Sequence, residues 1–252
     1  MGAFDVAGWD ILEGVVEAAE TMRSPIILSV SRTYPGTENI ESLARAVIDM
    51  GRRATIPVAF QVEVDETLQA AKKQSTWAAA DWYSTLPHIF CRTMRPSQKV
   101  VALAAARNVL VVGQVVQLEN DQLAETAEPG SGGTTSPLEA KYYVERTGVD
   151  CLAVSVNRIS SSGNKYDCTR LSKINQTVGI PLGIHGSAGL TDEQMRRMIG
   201  FGAAKINYNT VLHDVAARRI RENAMAGAEG YEEIMEGVRV AVKLEAERCV
   251  RV

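Results

Sequence analysis

Gly183-Ile184-His185-Gly186-Ser187-Ala188-Gly189 and, a little further on, Phe201-Gly202-Ala203-Ala204-Lys205-Ile206-Asn207-Tyr208-Asn209-Thr210 carry the pattern that decides the fold. Each passes from a short apolar run into a turn rich in glycine or asparagine, and a helical pattern follows each. Strand, turn and helix repeated in this way build a parallel sheet wrapped by helices. Glycine lets the backbone come close to a ligand, and the open N–H groups at a helix start favour an anion. Two such turns at neighbouring strand ends make a phosphate site, with Gly186 and Ser187 as one wall, Asn209 and Thr210 as the other, and Asn207 beside them. Either motif alone also reads as an ordinary turn, but anion sites after the last two strands recur in (β/α)8 barrels.

Working outward, strand-length apolar runs fall at residues 3–6, 25–30, 57–62, 78–83 or 89–92, 109–114, 150–156, 180–184 and 203–207. Eight strands close a barrel, and about 250 residues is a typical length for one, so the expectation is a single-domain α/β chain, a (β/α)8 TIM barrel over residues 1–252. The fourth strand has two candidates because Leu86-Pro87-His88 interrupts its pattern. Residues 10–22 show helical spacing, with Ile11, Leu12, Val15, Val16, Ala19 and Met22 on one face and Glu13, Glu17 and Glu20 on the other. Pro25 ends that helix, since proline disfavours helical geometry in the residue before it. Thr191 and Gln194 have capping-box spacing at the start of another helix. Residues 231–250, within a C-terminal element of 231–252, read as one long amphipathic helix whose Val238, Val242 and Leu244 cover the barrel bottom or a partner subunit. A glycine-rich stretch over 119–137 reads as a mobile loop after the fifth strand or as disorder.

The charge balance is mild, with 27 basic and 30 acidic residues and a formal net charge of −3. No basic run or field is present to attract nucleic acid. A basic, apolar leader and a membrane-length apolar run are both missing, which points to a cytoplasmic protein with no membrane partner. Cys91, Cys151, Cys168 and Cys249 show no paired spacing and read as reduced thiols, with Cys168 in a polar loop.

In a barrel the chemistry sits at the C-terminal strand ends and in the loops just beyond. Those positions hold Ser31 and Arg32, Glu63 and Asp65, His88 and Arg92, Gln114 and Gln117, Asn157, Arg158 and Ser160, His185, and finally Asn207, Asn209 and Thr210. Glu63 can move a proton if its apolar neighbours raise its pKa, or it can pair with Arg32, Arg92 or Arg158. Arg158 can stabilise developing negative charge, clamp a carboxylate or phosphate, or stand solvated in a loop. Lys205 invites an imine mechanism. His88 and His213 read as structural or surface groups.

Several segments, in order and over nearly the whole chain, resemble class II fructose- or tagatose-bisphosphate aldolases. They are Gly2-Ala3-Phe4-Asp5-Val6, Ser24-Pro25-Ile26-Ile27-Leu28, Pro35-Gly36-Thr37-Glu38-Asn39, Thr147-Gly148-Val149-Asp150-Cys151-Leu152-Ala153-Val154, Ile184-His185-Gly186-Ser187-Ala188-Gly189 and Lys205-Ile206-Asn207. The resemblance implies a zinc-dependent barrel in which the metal polarises a ketone, an enediolate forms and an aspartate handles the proton. It also implies a homodimer or homotetramer. The family carries a lysine at Lys205 without using an imine, which argues against that mechanism here.

The chain departs from the family at the metal. The family's catalytic aspartate falls on Glu63, the adjoining metal histidine on Val64, the strand-five glutamate on Gln114 and the next metal histidine on Ser160, leaving His185 as the one ligand type kept. Zinc is normally held by at least three nitrogen, sulfur or carboxylate donors. The expectation is therefore no metal and no other cofactor. Glu63, Arg158 and His185 are the catalytic candidates. Gln114, Ser160, Gly186, Ser187, Asn207, Asn209 and Thr210 are the candidates for contact with a small anionic substrate. The alternatives are an inactive aldolase paralogue that binds a sugar phosphate or supports a partner enzyme, and a zinc site rebuilt from His185, Glu63, Asp65 and His88.

Overall fold

The computed structural model describes residues 1–30, 40–63, 89–93, 98–106, 108–115, 134–160, 163–184 and 190–252; at residues 40, 63, 89–93, 100, 157–160 and 163–165 it describes the backbone path. Ten strands occur among these residues: β1 (Gly2–Asp5), β2 (Ile26–Val30), β3 (Val58–Glu63), β4 (Ile89–Thr93), β5 (Val109–Gln114), β6 (Cys151–Val154), β7 (Asn157–Ser160), β8 (Gly163–Tyr166), β9 (Leu182–Ile184) and β10 (Ala203–Tyr208). Eight of them close a barrel in the order β1-β10-β9-β6-β5-β4-β3-β2. Every pairing around it is parallel. The expected barrel is thus present, and the fourth strand is the second of its two candidates; residues 78–83 lie outside the described residues.

Helices among the described residues are α1 (Trp9–Met22), α2 (Ile40–Arg53), α3 (Gln98–Ala105), α4 (Pro137–Thr147), α5 (Cys168–Val178), α6 (Asp192–Gly200), α7 (Thr210–Met225), α8 (Tyr231–Met235) and α9 (Val238–Arg251). Strand side chains alternate between two environments, as the period of two requires. Phe4, Leu28, Phe60, Val111, Leu152, Ile184 and Tyr208 pack outward with helix residues such as Leu12, Val15, Leu171 and Met198 in one large cluster. Ala3, Ile27 and Ala59 form a separate inner cluster, and Val112, Cys151 and Ala153 another. The sheet–helix layer therefore carries most of the apolar burial, at roughly 1.5–3 kcal/mol per large buried side chain.

Local signals act where the sequence placed them. Thr191 caps α6 in a reciprocal box with Gln194, and Ser136 does the same for α4 with Glu139. The second box corrects the expected loop of 119–137 at its end. Thr134 and Thr135 are buried, Thr135 exchanges hydrogen bonds with Ser155 at 2.8 and 3.1 Å, and Pro137 already begins α4. Residues 119–133 lie outside the described residues.

Further expectations need correction. The strand expected over 150–156 is shorter, because the Asp150 carboxylate accepts the Val111 N–H at 2.8 Å, and the chain then turns into the antiparallel β7–β8 hairpin. The single helix expected over 231–250 is two, α8 and α9, because Gly237 between them takes φ 73°, a left-handed conformation open to glycine. Val238 and Val242 are buried as expected, but Leu244 is 61% exposed. The inner face of α9 lies against α1, close enough that a Cβ on Gly14 would stand 2.8 Å from the Arg239 carbonyl oxygen. Cys168 begins α5 behind the Asp167 cap and is half-buried, not part of a polar loop. Among the described residues no helix is long and apolar enough to cross a membrane.

Candidate functional site

The C-terminal strand ends converge on one mouth because all eight barrel strands run the same way. At the end of β10 the alternation of Lys205, Ile206, Asn207 and Tyr208 puts two polar side chains on one face. Both are buried, Lys205 at 4% exposure and Asn207 at 6%. Lys205 Nζ donates to Asn207 Oδ1 at 2.7 Å, and Asn207 Nδ2 donates to the Ile184 carbonyl oxygen at 3.1 Å. The Asn207 amide thus fastens β10 to the last residue of β9. Asn209 then takes the N-cap position of α7 without a side-chain cap, and Thr210 opens the helix. The Leu212 and His213 N–H groups bond to the Asn209 carbonyl, which leaves Thr210 and Val211 as the first-turn N–H groups that can serve as donors, together with a partial positive charge at this end of α7.

Across the barrel, Gln114 ends β5 and is half-buried. Register connects Gln114 to Ala153, Ala153 to Gly183 and Gly183 to Lys205, so Gln114 and Lys205 lie on the same face of the sheet, three strands apart in a staggered barrel. Deeper on the opposite wall, Gln61 Nε2 donates to Ser29 Oγ at 3.1 Å, with both side chains buried. Among the described residues Gln61 Oε1 has no hydrogen-bond partner. Glu63 closes β3, and Arg92 of β4 is its backbone register neighbour.

Arg158 and Ser160 stand on β7, with Lys165 and Gly163 opposite them in β8. Sequence reasoning placed them at the end of the sixth strand or in the loop just beyond it, whereas their backbone belongs to the hairpin. The missed signal is the sequence Ser160-Ser161-Ser162-Gly163, residue types that favour a turn, between two short runs. Ser31, Arg32, Val64, Asp65, His88, Gln117, His185, Gly186 and Ser187 lie outside the described residues.

The structure also adds a pair at β1. Asp5 is buried at the strand end, and His213, one turn into α7, bonds to its backbone. Burial pushes the imidazole pKa down, while the Asp5 and Asp214 carboxylates and the bond to the Asp5 backbone pull it back up. The pair was legible only as a polar residue ending an apolar strand.

At the positions that the resemblance assigns to the metal, the residue types do not suit zinc. Valine has no lone pair at Val64, Gln114 offers a neutral amide, and Ser160 offers a hydroxyl in place of an imidazole. Among the described residues no group of three or more histidine, cysteine, aspartate or glutamate side chains is placed to hold a metal ion.

A closed parallel barrel wrapped by helices, with polar groups and a helix N-terminus at its C-terminal mouth, defines a (β/α)8 protein. The family model for fructose-bisphosphate aldolase class-II matches residues 1–252, and the chain belongs to that family. Among its relatives, the YdjI protein of Escherichia coli K12 is 26% identical over 224 residues, covering 87% of this chain and 80% of YdjI. A probable fructose-bisphosphate aldolase of Bacillus subtilis is 27% identical over 243 residues, covering 92% of this chain and 83% of its own. In fold, the chain is similar to the crystal structure of the YdjI aldolase, with a TM-score of 0.78 at 22% identity, covering all of this chain and 90% of that one. A putative aldolase from Coccidioides immitis gives 0.77 at 23% identity with the same coverage.

Proposed function

We propose that this protein is an aldolase-like carbon–carbon lyase that works without zinc on a small phosphorylated or carboxylated substrate. The observation that carries this reading is an asymmetry within the family site. At the β9–β10 end Asn207 is bound to Ile184 and α7 opens at Thr210, while the positions that the resemblance assigns to metal donors carry Val64, Gln114 and Ser160. A substrate anion is held by the Gly186–Ser187 turn and the Asn209–Thr210 helix start. Asn207, Gln114 and Ser160 contact the rest of the molecule.

In the cleavage direction, a base takes the proton from the hydroxyl on the carbon next to the scissile bond. The C–C bond breaks, its electron pair forms an enolate, and the hydroxyl carbon leaves as an aldehyde. Glu63 takes that proton, and in the reverse direction it returns it to the aldehyde oxygen. Arg158 and His185 supply positive charge or hydrogen bonds to the enolate oxygen, the part that fixed donors can play in a dry site. The second product is released when a proton reaches the enolate carbon.

Cleavage of a panel of phosphorylated ketoses and 4-hydroxy-2-oxo acids tests the assignment. Glu63→Gln and Arg158→Ala should each lower the rate about a hundredfold or more, the scale of losing a proton-transfer group or a charge stabiliser. Unchanged rates in both variants contradict the roles given to them.

A further inference from the structure

Lys205 is a buried cation to which the proposed chemistry assigns no step. It lies opposite Gly183 in the β9–β10 register, and a Cβ on Gly183 would stand 3.8 Å from the lysine Cδ. The absence of a side chain at Gly183, with Ala153 beyond it, leaves the barrel interior to the lysine stem. At the far end the ammonium meets Asn207 Oδ1 at 2.7 Å. An ammonium only donates, so it fixes which end of the amide faces it and turns Nδ2 toward the Ile184 carbonyl, 3.1 Å away. Without that charge the amide is oriented from the Ile184 side alone, where a carbonyl oxygen accepts from Nδ2, and its oxygen loses the donor that holds it on the other side.

We propose that Lys205 is a positioning residue: by orienting the Asn207 amide it ties the C-terminal end of β9 to β10 and sets the spacing between the strand ends that flank the anion site. Its effect on binding rests on the anion reading given above, whereas the tie between the strands can be measured without a ligand. Polar groups that act through one another show this as non-additivity, so a double-mutant cycle separates positioning from simple packing.

The experiment measures hydrogen exchange at the Ile184 and Asn207 amides by NMR in the wild type, Lys205→Met, Asn207→Ala and the double variant, with inorganic phosphate titrated into each. Lys205→Met should speed exchange at these amides about tenfold in the wild-type background and add nothing once Asn207 is alanine. Lys205→Arg, which keeps a donor, should restore most of the protection. Equal acceleration in both backgrounds, or acceleration spread evenly over all barrel strands, overturns the proposal. Phosphate affinity should fall in step with exchange. If wild-type protein binds no phosphate, the anion reading fails, and the exchange cycle still decides the role of Lys205.

Discussion

Asn207 and Ile184 are joined by a 3.1 Å hydrogen bond from a side-chain amide to a main-chain carbonyl, inside the barrel and between neighbouring strands. Asn207→Asp keeps an acceptor for the Lys205 ammonium but has no N–H for Ile184. A buried carbonyl that loses its donor costs about 1–3 kcal/mol. Urea unfolding should show a loss of this size for Asn207→Asp; a variant as stable as the wild type would mean that the bond adds little to the barrel.

His213 gives the protein a defined acid response. Burial lowers its folded-state pKa below the ordinary value of about 6.5, so the unfolded chain binds the proton more readily. The stabilising contribution is therefore complete above that ordinary value and is lost as the pH falls toward the lowered one. The Asp5 and Asp214 carboxylates moderate the effect. The slope of urea midpoint against pH between about 7 and 5 should flatten in His213→Asn. A slope unchanged by the substitution would assign the acid response elsewhere.

The described cysteines should differ in reactivity. Burial raises the Cys151 thiol to about 11 and the Cys249 thiol to about 12, while Cys168 is only half-buried. Because the thiolate is the reactive form, a thiol reagent near pH 8 should modify Cys168 well before Cys151 and Cys249 in folded protein, as followed by peptide mapping. Early modification of Cys151 would contradict its place inside the barrel.

A ligand of the native state raises its stability by mass action. Inorganic phosphate or a phosphorylated ketose should shift the thermal unfolding midpoint upward, with a gain of about 2.7 kcal/mol at a hundred times the dissociation constant. The shift should shrink when Thr210 is replaced by proline, which removes one N–H at the α7 start. A midpoint that ignores both ligands would remove the anion site.

The barrel was legible because its strands are short apolar runs bounded by turn residues, and Thr191 with Gln194 marked a helix start that is present in the structure. Three features were not. The β7–β8 hairpin is polar, so apolar periodicity passed over it. Glu236-Gly237 interrupts a helical pattern that is otherwise continuous, and glycine alone does not say whether a helix breaks. Lys205 was weighed only as a nucleophile, because its bond to Asn207 depends on Gly183 standing opposite it, a relation between strands that one-dimensional spacing does not carry. The site was readable as residue types at strand ends; the closing of their hydrogen bonds across strands was not.

The central claim is that the anion-binding half of the family site is kept and its zinc half replaced. Metal analysis of the purified protein, combined with an aldol-cleavage assay before and after exhaustive chelation, tests it most directly. The account predicts substoichiometric metal and a cleavage rate that chelation leaves unchanged. Stoichiometric zinc together with cleavage that is lost on chelation and restored by added zinc would contradict it.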